Sequence, residues 1–522
     1  MNKFEEIKAA KDGLDVLPDI ERYAREGWEA ITDDDKVRLK WYGLFFRKHT
    51  PGFFMLRIRI PNGIATAAQL RAIAAITTDF GRGELDITTR QQIQVRWFRI
   101  EHVPEIFARL RAVGLDHRQT GMDNVRNVMG CPLAGRTPHE LFDASPVVRE
   151  FTARFVGNKA FSNLPRKFNV AITGCMDHCL PLESQDIALS PALKQLDGQT
   201  CAGFNVRVGG KMGSGGFTAA RALDVFVTRE EAAEVCAAIT LLFRDHGPRE
   251  TRSRARLAFL LEDWGVARFR AALEERLGRP LARAGRDVQA LHRSDHLGVA
   301  PQRQQGTYSV GLAVPVGRLT AAQLLAVAEL AETYGSGEVR LTPGQNLLLI
   351  DIPDRRLRAL LDEPLLAELR PDPSPAIRGT VSCTGLGLCD LAQADTKVDA
   401  LATARRLERA VPLPRPLTIH WSGCPAGCGN HQLADIGLLG GKARVGGQVT
   451  EVYQVFVGGR SGVGARPAQP VLDKIPATQV SDVVERLARA HAAGRDLLEA
   501  GRELAAELGQ ATPAAAADGT AA

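Results

Sequence analysis

The chain has 522 residues, a formal net charge of +6, 45% hydrophobic and 24% charged residues, and at one domain per ~150 residues it should hold about three or four domains. That composition belongs to a folded globular protein and excludes a disordered or fibrous one, and the charge is too sparse for a dedicated nucleic-acid binder. No uninterrupted apolar run approaches the ~20 residues of a membrane helix, and the opening MNKFEEIKAAKDGLDV lacks the apolar stretch of a secretory signal, so a cytoplasmic location without membrane attachment is expected.

In chain order, residues 1–48 read as a charged N-terminal extension. From Ile60 the segment IPNGIATAAQLRAIAAITTDFGRGELDITTRQQIQV recurs from Val314, without a gap, as VPVGRLTAAQLLAVAELAETYGSGEVRLTPGQNLLLI. Its pattern is strand, helix, strand, with Thr66 and Thr320 as helix N-caps and Gly81 and Gly335 as stops. A second unit recurs too: LPRKFNVAITGCMDHC from Leu164 against LPRPLTIHWSGCPAGC from Leu413, then QDIAL against ADIGL and GFNVRVGGKMG against VYQVFVGGRSG. The offsets agree, so the chain is expected to be an α+β tandem duplication in a pseudo-twofold arrangement. The smaller parts fall at 49–120 and 301–370, the larger ones at 121–300 and 371–490, and 491–522 is an Ala-rich helix fading into low complexity.

Nine cysteines, an odd number in a chain expected to stay in the cytoplasm, point to thiolate ligands or inert thiols rather than disulfides. Cys383-TGLGL-Cys389 and Cys424-PAG-Cys428 have wider gaps than the two-residue spacing common at zinc, and suit a 4Fe-4S cluster. Their glycines let the backbone approach a bulky inorganic group. Zinc and plain core thiols remain the alternatives. By the repeat offsets Cys131, Cys175 and Cys179 lie opposite Cys383, Cys424 and Cys428, but Thr137 stands where Cys389 has its counterpart. Cys175 and Cys179 therefore read as vestigial or structural, with a labile metal or redox role as the minor alternative. Cys201 and Cys236 fit no pattern and read as inert.

Alternate residues of a strand share a face, and three stretches put cations on one parity. Arg57 and Arg59 oppose Leu56, Ile58 and Ile60; Arg90, Gln92, Gln94 and Arg96 oppose Ile93, Val95 and Trp97; Lys167 and Asn169 oppose Phe168, Val170 and Ile172. Arg126 lies in the turn-rich GMDNVRNVMG. Such a cationic lining would suit a polycarboxylate cofactor and a small oxyanion. The alternative is a set of solvated strand faces. Gly344 replaces Arg90 in the second copy, so the lining belongs to the first.

The motifs GWEAI, RIPNG, ITTRQ, GMDNVRN, NLPRKFN, CTGLGLC, SGCPAGC and ADIGL, in this order, make the chain resemble the siroheme-dependent nitrite and sulfite reductases, most closely the ferredoxin-dependent members that reduce nitrite. The resemblance implies two ferredoxin-like half-domains and two larger domains that hold siroheme and a 4Fe-4S cluster. It implies that Cys383, Cys389, Cys424 and Cys428 bind the cluster and that Cys428 also bridges to the siroheme iron. Arg57, Arg126 and Lys167 would line the anion pocket and touch siroheme, Arg90 and Arg96 would meet its carboxylates, and Asn169, in PRKFN rather than PRKFK, would favour nitrite over sulfite. The implied reaction is the six-electron reduction of nitrite to ammonium in nitrate assimilation, with the active site where the two copies meet. GGKMGSGG is not a dinucleotide fingerprint, so reduced ferredoxin or flavodoxin is the expected donor, and the enzyme is expected to be a monomer. A sulfite reductase and a non-catalytic iron-sulfur or zinc scaffold are the competing readings. TRQQIQVRWF departs from the family's usual arginine-glycine ending of that strand.

Overall fold

The two ungapped repeats fold alike because the same local signals act in both. In the computed structural model, which describes residues 2–510 apart from Ser214 and Leu291, Thr66 caps the helix Ala67–Phe80 in a capping box with Gln69, and Thr320 caps Ala321–Tyr334 in one with Gln323. Both helices are 14 residues long and stop at the expected Gly81 and Gly335. The chain divides into two compact units: the second is the chain from Asp372 onward with the short segments 215–217 and 313–317, and the first is the remainder.

The first unit begins with the helices Lys3–Ala10, Leu17–Glu26 and Asp33–Arg38. They are docked rather than loose, since Lys8 Nζ donates to the Leu164 carbonyl at 2.9 Å and Trp41 Nε1 to that of Ser162 at 2.8 Å. Then come β1 (Leu44–Phe46), β2 (Phe54–Ile58), β3 (Ile64–Thr66), β4 (Glu84–Ile87) and β5 (Ile93–Phe98) of the first half-domain. The larger sheet follows as β6 (Val125–Met129), β7 (Phe168–Ile172), β8 (Ile187–Leu196), β9 (Gln199–Val208) and β10 (Arg221–Thr228), in the order β10-β9-β8-β7-β6, with β11 (Arg286–Asp287) on β8. Its pairs β6/β7 and β7/β8 are parallel and the others antiparallel. The second half-domain supplies β12 (Gly298–Pro301), β13 (Thr307–Leu312), β14 (Arg318–Thr320), β15 (Glu338–Leu341) and β16 (Leu347–Pro353).

Within this unit the half-domains exchange strands symmetrically. β14 pairs with β4, through Arg318↔Asp86 and Thr320↔Glu84, and β3 pairs with β15, through Ile64↔Arg340 and Thr66↔Glu338. Each short strand completes the other half's five-stranded sheet, which removes an exposed edge from both.

The second unit repeats the topology of the larger sheet. β17 (Thr380–Ser382), β18 (Ile419–Ser422) and β19 (Ile436–Val445) run parallel, and β20 (Gln448–Val457) and β21 (Gln469–Pro476) add antiparallel. Helices Thr396–Ala410, Ala477–Ala492 and Leu497–Glu507 cover a core around Trp421, Ile436, Tyr453 and Leu472. The Ala-rich helix is thus part of the core, through Leu497, Ala500, Leu504 and Ala505; the low-complexity tail lies outside the described residues. None of the described helices is long and apolar enough to cross a membrane.

Candidate active site and cofactor-binding residues

In open sheets the carboxyl ends of parallel strands are where ligand-bearing loops gather, and this sets the cysteines. Cys383 follows β17 by one residue and Cys424 follows β18 by two. The Gly423 N–H donates to Cys383 Sγ at 3.1 Å and the Thr396 hydroxyl lies 3.4 Å from the same sulfur. Gly385, at φ +80°, leaves no room for a side chain, as a Cβ would come within 2.9 Å of Asp395. Burial, and then the neighbouring charge of Cys428, push Cys424 up to about 12, with smaller contributions from Cys389 and Cys383; Cys383 is raised by burial and by Cys428. Buried thiols raised by neighbouring thiols, as Cys383 and Cys424 are, are relieved by a metal cation. Cys428 is the exposed member of the four.

In the first unit the cations gather round β2, β6 and β7. Arg57, half-buried on β2, donates to the Thr120 carbonyl at 2.8 Å and stacks 4.8 Å from the Phe45 ring. Arg126, at the start of β6, donates to the carbonyls of Thr120 and, at 2.7 Å, Met122. Burial, with the like charges of Arg57 and Arg90, pushes its pKa well down. Arg90 Nε donates to Asn169 Oδ1 at 3.2 Å, while the Asn169 N–H donates to Asp186 at 2.8 Å. Asp186 is itself held in a fully buried ion pair with Arg256 at 2.5 Å. Lys167 is half-buried just ahead of β7, on the parity of Asn169. Guanidiniums buried beside one another are costly without an anion, so this donor set fits a carboxylate-rich cofactor and a small oxyanion.

Two cations expected on that side are used elsewhere. Arg96 is buried against Asp86 at 2.7 Å, with Gln94 also accepting from it, and Asp86 takes Arg318 of the exchanged strand at 3.0 Å. Arg96 is thus held by an acid of its own half-domain, and the same Asp86 ties in the exchanged strand through Arg318. Arg59 is buried with its guanidinium on the carbonyls of Arg118, Val125 and Arg126, where desolvation lowers it to about 10. The strict alternation along β5 also fails. Trp97 has φ +70°, and the register shifts so that Phe54 faces Phe98 and Met55 faces Arg96; this bulge buries Phe98 and leaves Trp97 half-buried, since one extra residue re-aims the side chains.

The first-copy thiols converge. Cys131, Cys175 and Cys179 bring their sulfurs within 4.8 Å of one another, and His296 Nε2 lies 3.7 Å from Cys131 Sγ. Thr137, in the place of a fourth cysteine, accepts from the His139 N–H. His296 was beyond reach of the repeats, because the segment that carries it has no counterpart in the second copy. Arg166 was also missed; it adds to the positive field on Arg126 and is itself lowered to about 10 by burial and then by Arg252. The run PRK showed it, but its place ahead of β7 gave it no parity.

Residues 121–281 and 374–503 match the family model of the nitrite and sulphite reductase 4Fe-4S domain. Residues 46–113 and 300–367 match that of the nitrite/sulfite reductase ferredoxin-like half domain. The chain is 46% identical to the ferredoxin–nitrite reductase of Synechococcus elongatus, over 93% of this chain and 96% of that one. It is 41% identical to the assimilatory ferredoxin-dependent nitrite reductase of Haloferax mediterranei, over 95% and 89%. Among solved structures it is similar to the Mycobacterium tuberculosis NirA protein, with a TM-score of 0.89 at 35% identity, covering 95% of this chain and 94% of that one. With both halves of the duplication matched in order, the chain belongs to the nitrite and sulphite reductase family, built from paired ferredoxin-like half-domains and paired 4Fe-4S domains.

Proposed function

We propose that this chain is a cytoplasmic, monomeric ferredoxin-dependent nitrite reductase that takes nitrite to ammonium in six one-electron steps. Its cofactors are siroheme and a 4Fe-4S cluster. The observation that carries the reading is the gathering of Arg57, Arg90 and Arg126, all half-buried, with Arg57 and Arg126 donating to one carbonyl, that of Thr120, like charges that call for an anion, in a chain that also carries the four-thiol set. The printed names of the relatives support nitrite as that anion and ferredoxin as the donor.

In this reading Cys383, Cys389, Cys424 and Cys428 would hold the cluster, and Cys428 would couple it to siroheme. The cofactors, when bound, would supply electrons one at a time to the substrate. Arg57 and Arg126 hold the anion and offset the charge that builds as electrons arrive. Lys167 moves protons to the oxygen atoms that leave as water, directly or through water, since an ammonium deprotonates far more readily than a guanidinium. Arg90 meets siroheme carboxylate, and its bond to Asn169 fixes the amide that distinguishes this pocket from a lysine-lined one. A reduced ferredoxin is drawn in by charge, the chain carrying a net +6, which sets the encounter rate.

The test is turnover with reduced ferredoxin on nitrite and on sulfite in parallel. Steady ammonium release with far weaker sulfide release is expected; dominant sulfide release would assign the chain to sulfite reduction.

A further inference from the structure

We infer that Cys131, Cys175, Cys179 and His296 form a second metal site, one that takes a single zinc ion independently of the 4Fe-4S cluster. The three sulfurs are close enough to make one face of a small tetrahedron, and His296 stands beside the Cys131 sulfur. Zinc–sulfur bonds of ~2.3 Å and zinc–nitrogen bonds of ~2.0–2.1 Å imply edges of about 3.8 Å between sulfurs and about 3.6 Å from sulfur to nitrogen. The three sulfurs lie within 4.8 Å of one another, and the Cys131 sulfur is 3.7 Å from His296 Nε2.

The fold delivers these ligands by the same device as the cluster. Cys131 and Cys175 follow the parallel strands β6 and β7, as Cys383 and Cys424 follow β17 and β18. What differs is the fourth ligand. Thr137 replaces the cysteine, and the segment after β11 brings His296 to the Cys131 sulfur instead. That segment is tied to the cysteine loop, for the His178 N–H donates to the His292 carbonyl at 2.9 Å and the Ala290 N–H to that of Met176 at 2.8 Å. His296 sits at φ +59°, and its carbonyl lies where a Cβ on Gly311 would be, 1.9 Å away, so a glycine in β13 makes its place. The Ser294 hydroxyl, 3.2 Å from His296 Nδ1, orients the ring as outer partners of zinc-bound histidines do. Leu133, Ala134, Leu348 and Ile350 close the site in an apolar shell, the setting of a structural zinc with no open position. Binding releases three thiol protons and changes no oxidation state, and the metal would staple the segment before β12 to the cysteine loop.

Metal analysis and zinc-edge X-ray absorption on holoenzyme purified anaerobically test this. The expected result is about one zinc per chain in a three-sulfur, one-nitrogen shell. C179S and H296A should lose that zinc and keep the visible absorption and iron content of the wild type, while S294A should bind zinc about 10–100-fold more weakly. C201S, at an unrelated thiol, should keep it. A wild-type chain that takes up no zinc even when reconstituted, with the three cysteines alkylating as free thiols or carrying a disulfide, would overturn the site; so would equal zinc in wild type, C179S and H296A. None of these outcomes depends on nitrite turnover.

Discussion

Single side chains decide the chemistry through what they are bonded to. Arg126→Gln removes the most enclosed cation of the lining, and nitrite turnover should fall by about 10²–10³-fold, the usual cost of one preorganised charge-stabilising donor, in steady-state assays with siroheme content unchanged. Asn169→Lys places an ammonium where Arg90 now donates at 3.2 Å. The two cations will repel, and the ratio of sulfite to nitrite turnover should rise by about 10-fold. An unchanged ratio would remove Asn169 from substrate choice. A third residue governs acid stability. His117 is stacked on Phe107 and its Nδ1 meets the Tyr42 carbonyl at 2.8 Å; burial holds it down at about 4. The unfolded chain titrates this group near ~6.5, so between the two values the unfolded state binds more protons and stability falls as pH drops through that window. Denaturant midpoints measured across it should show a shallower slope in His117→Gln.

At the scale of elements, the exchange of β3 and β14 makes one stable body of the two half-domains, and Asp86 is its polar centre. Asp86→Ala leaves Arg96 buried without its carboxylate and strips Arg318 of its partner; stability should drop by about 3–5 kcal/mol, read as a lower midpoint at constant m, with the native spectrum retained. This element also marks how far the sequence could be read. The repeat, its helices and its caps were legible because they are local and occur twice. The pairing of β14 with β4 was not, since nothing in either segment names its neighbour. The cationic parity was legible for Arg57, Lys167 and Asn169 as far as their strands are regular. It could not show that Arg96 has an acid partner on the adjacent strand, nor that a bulge at Trp97 breaks the period of two. The four late cysteines were visible from their spacing as a candidate cluster set; the first-copy trio was visible too, but only the fold shows that its sulfurs converge and that His296 lies beside Cys131.

For the whole molecule, a net charge of +6 and a donor expected to be an acidic protein imply salt-sensitive encounter. The second-order rate with ferredoxin should fall steeply between low and physiological ionic strength while turnover at saturating donor stays constant. The central claim is that the four late cysteines and the cations serve one siroheme and one cluster. It is tested most directly by comparing wild type and Cys428→Ser, purified anaerobically, by visible absorption and low-temperature EPR. The account predicts siroheme and cluster signals that are magnetically coupled in the wild type and uncoupled or lost in Cys428→Ser, whereas Cys179→Ser keeps the coupling. A colourless wild-type protein, or coupling that survives in Cys428→Ser and vanishes in Cys179→Ser, would contradict it.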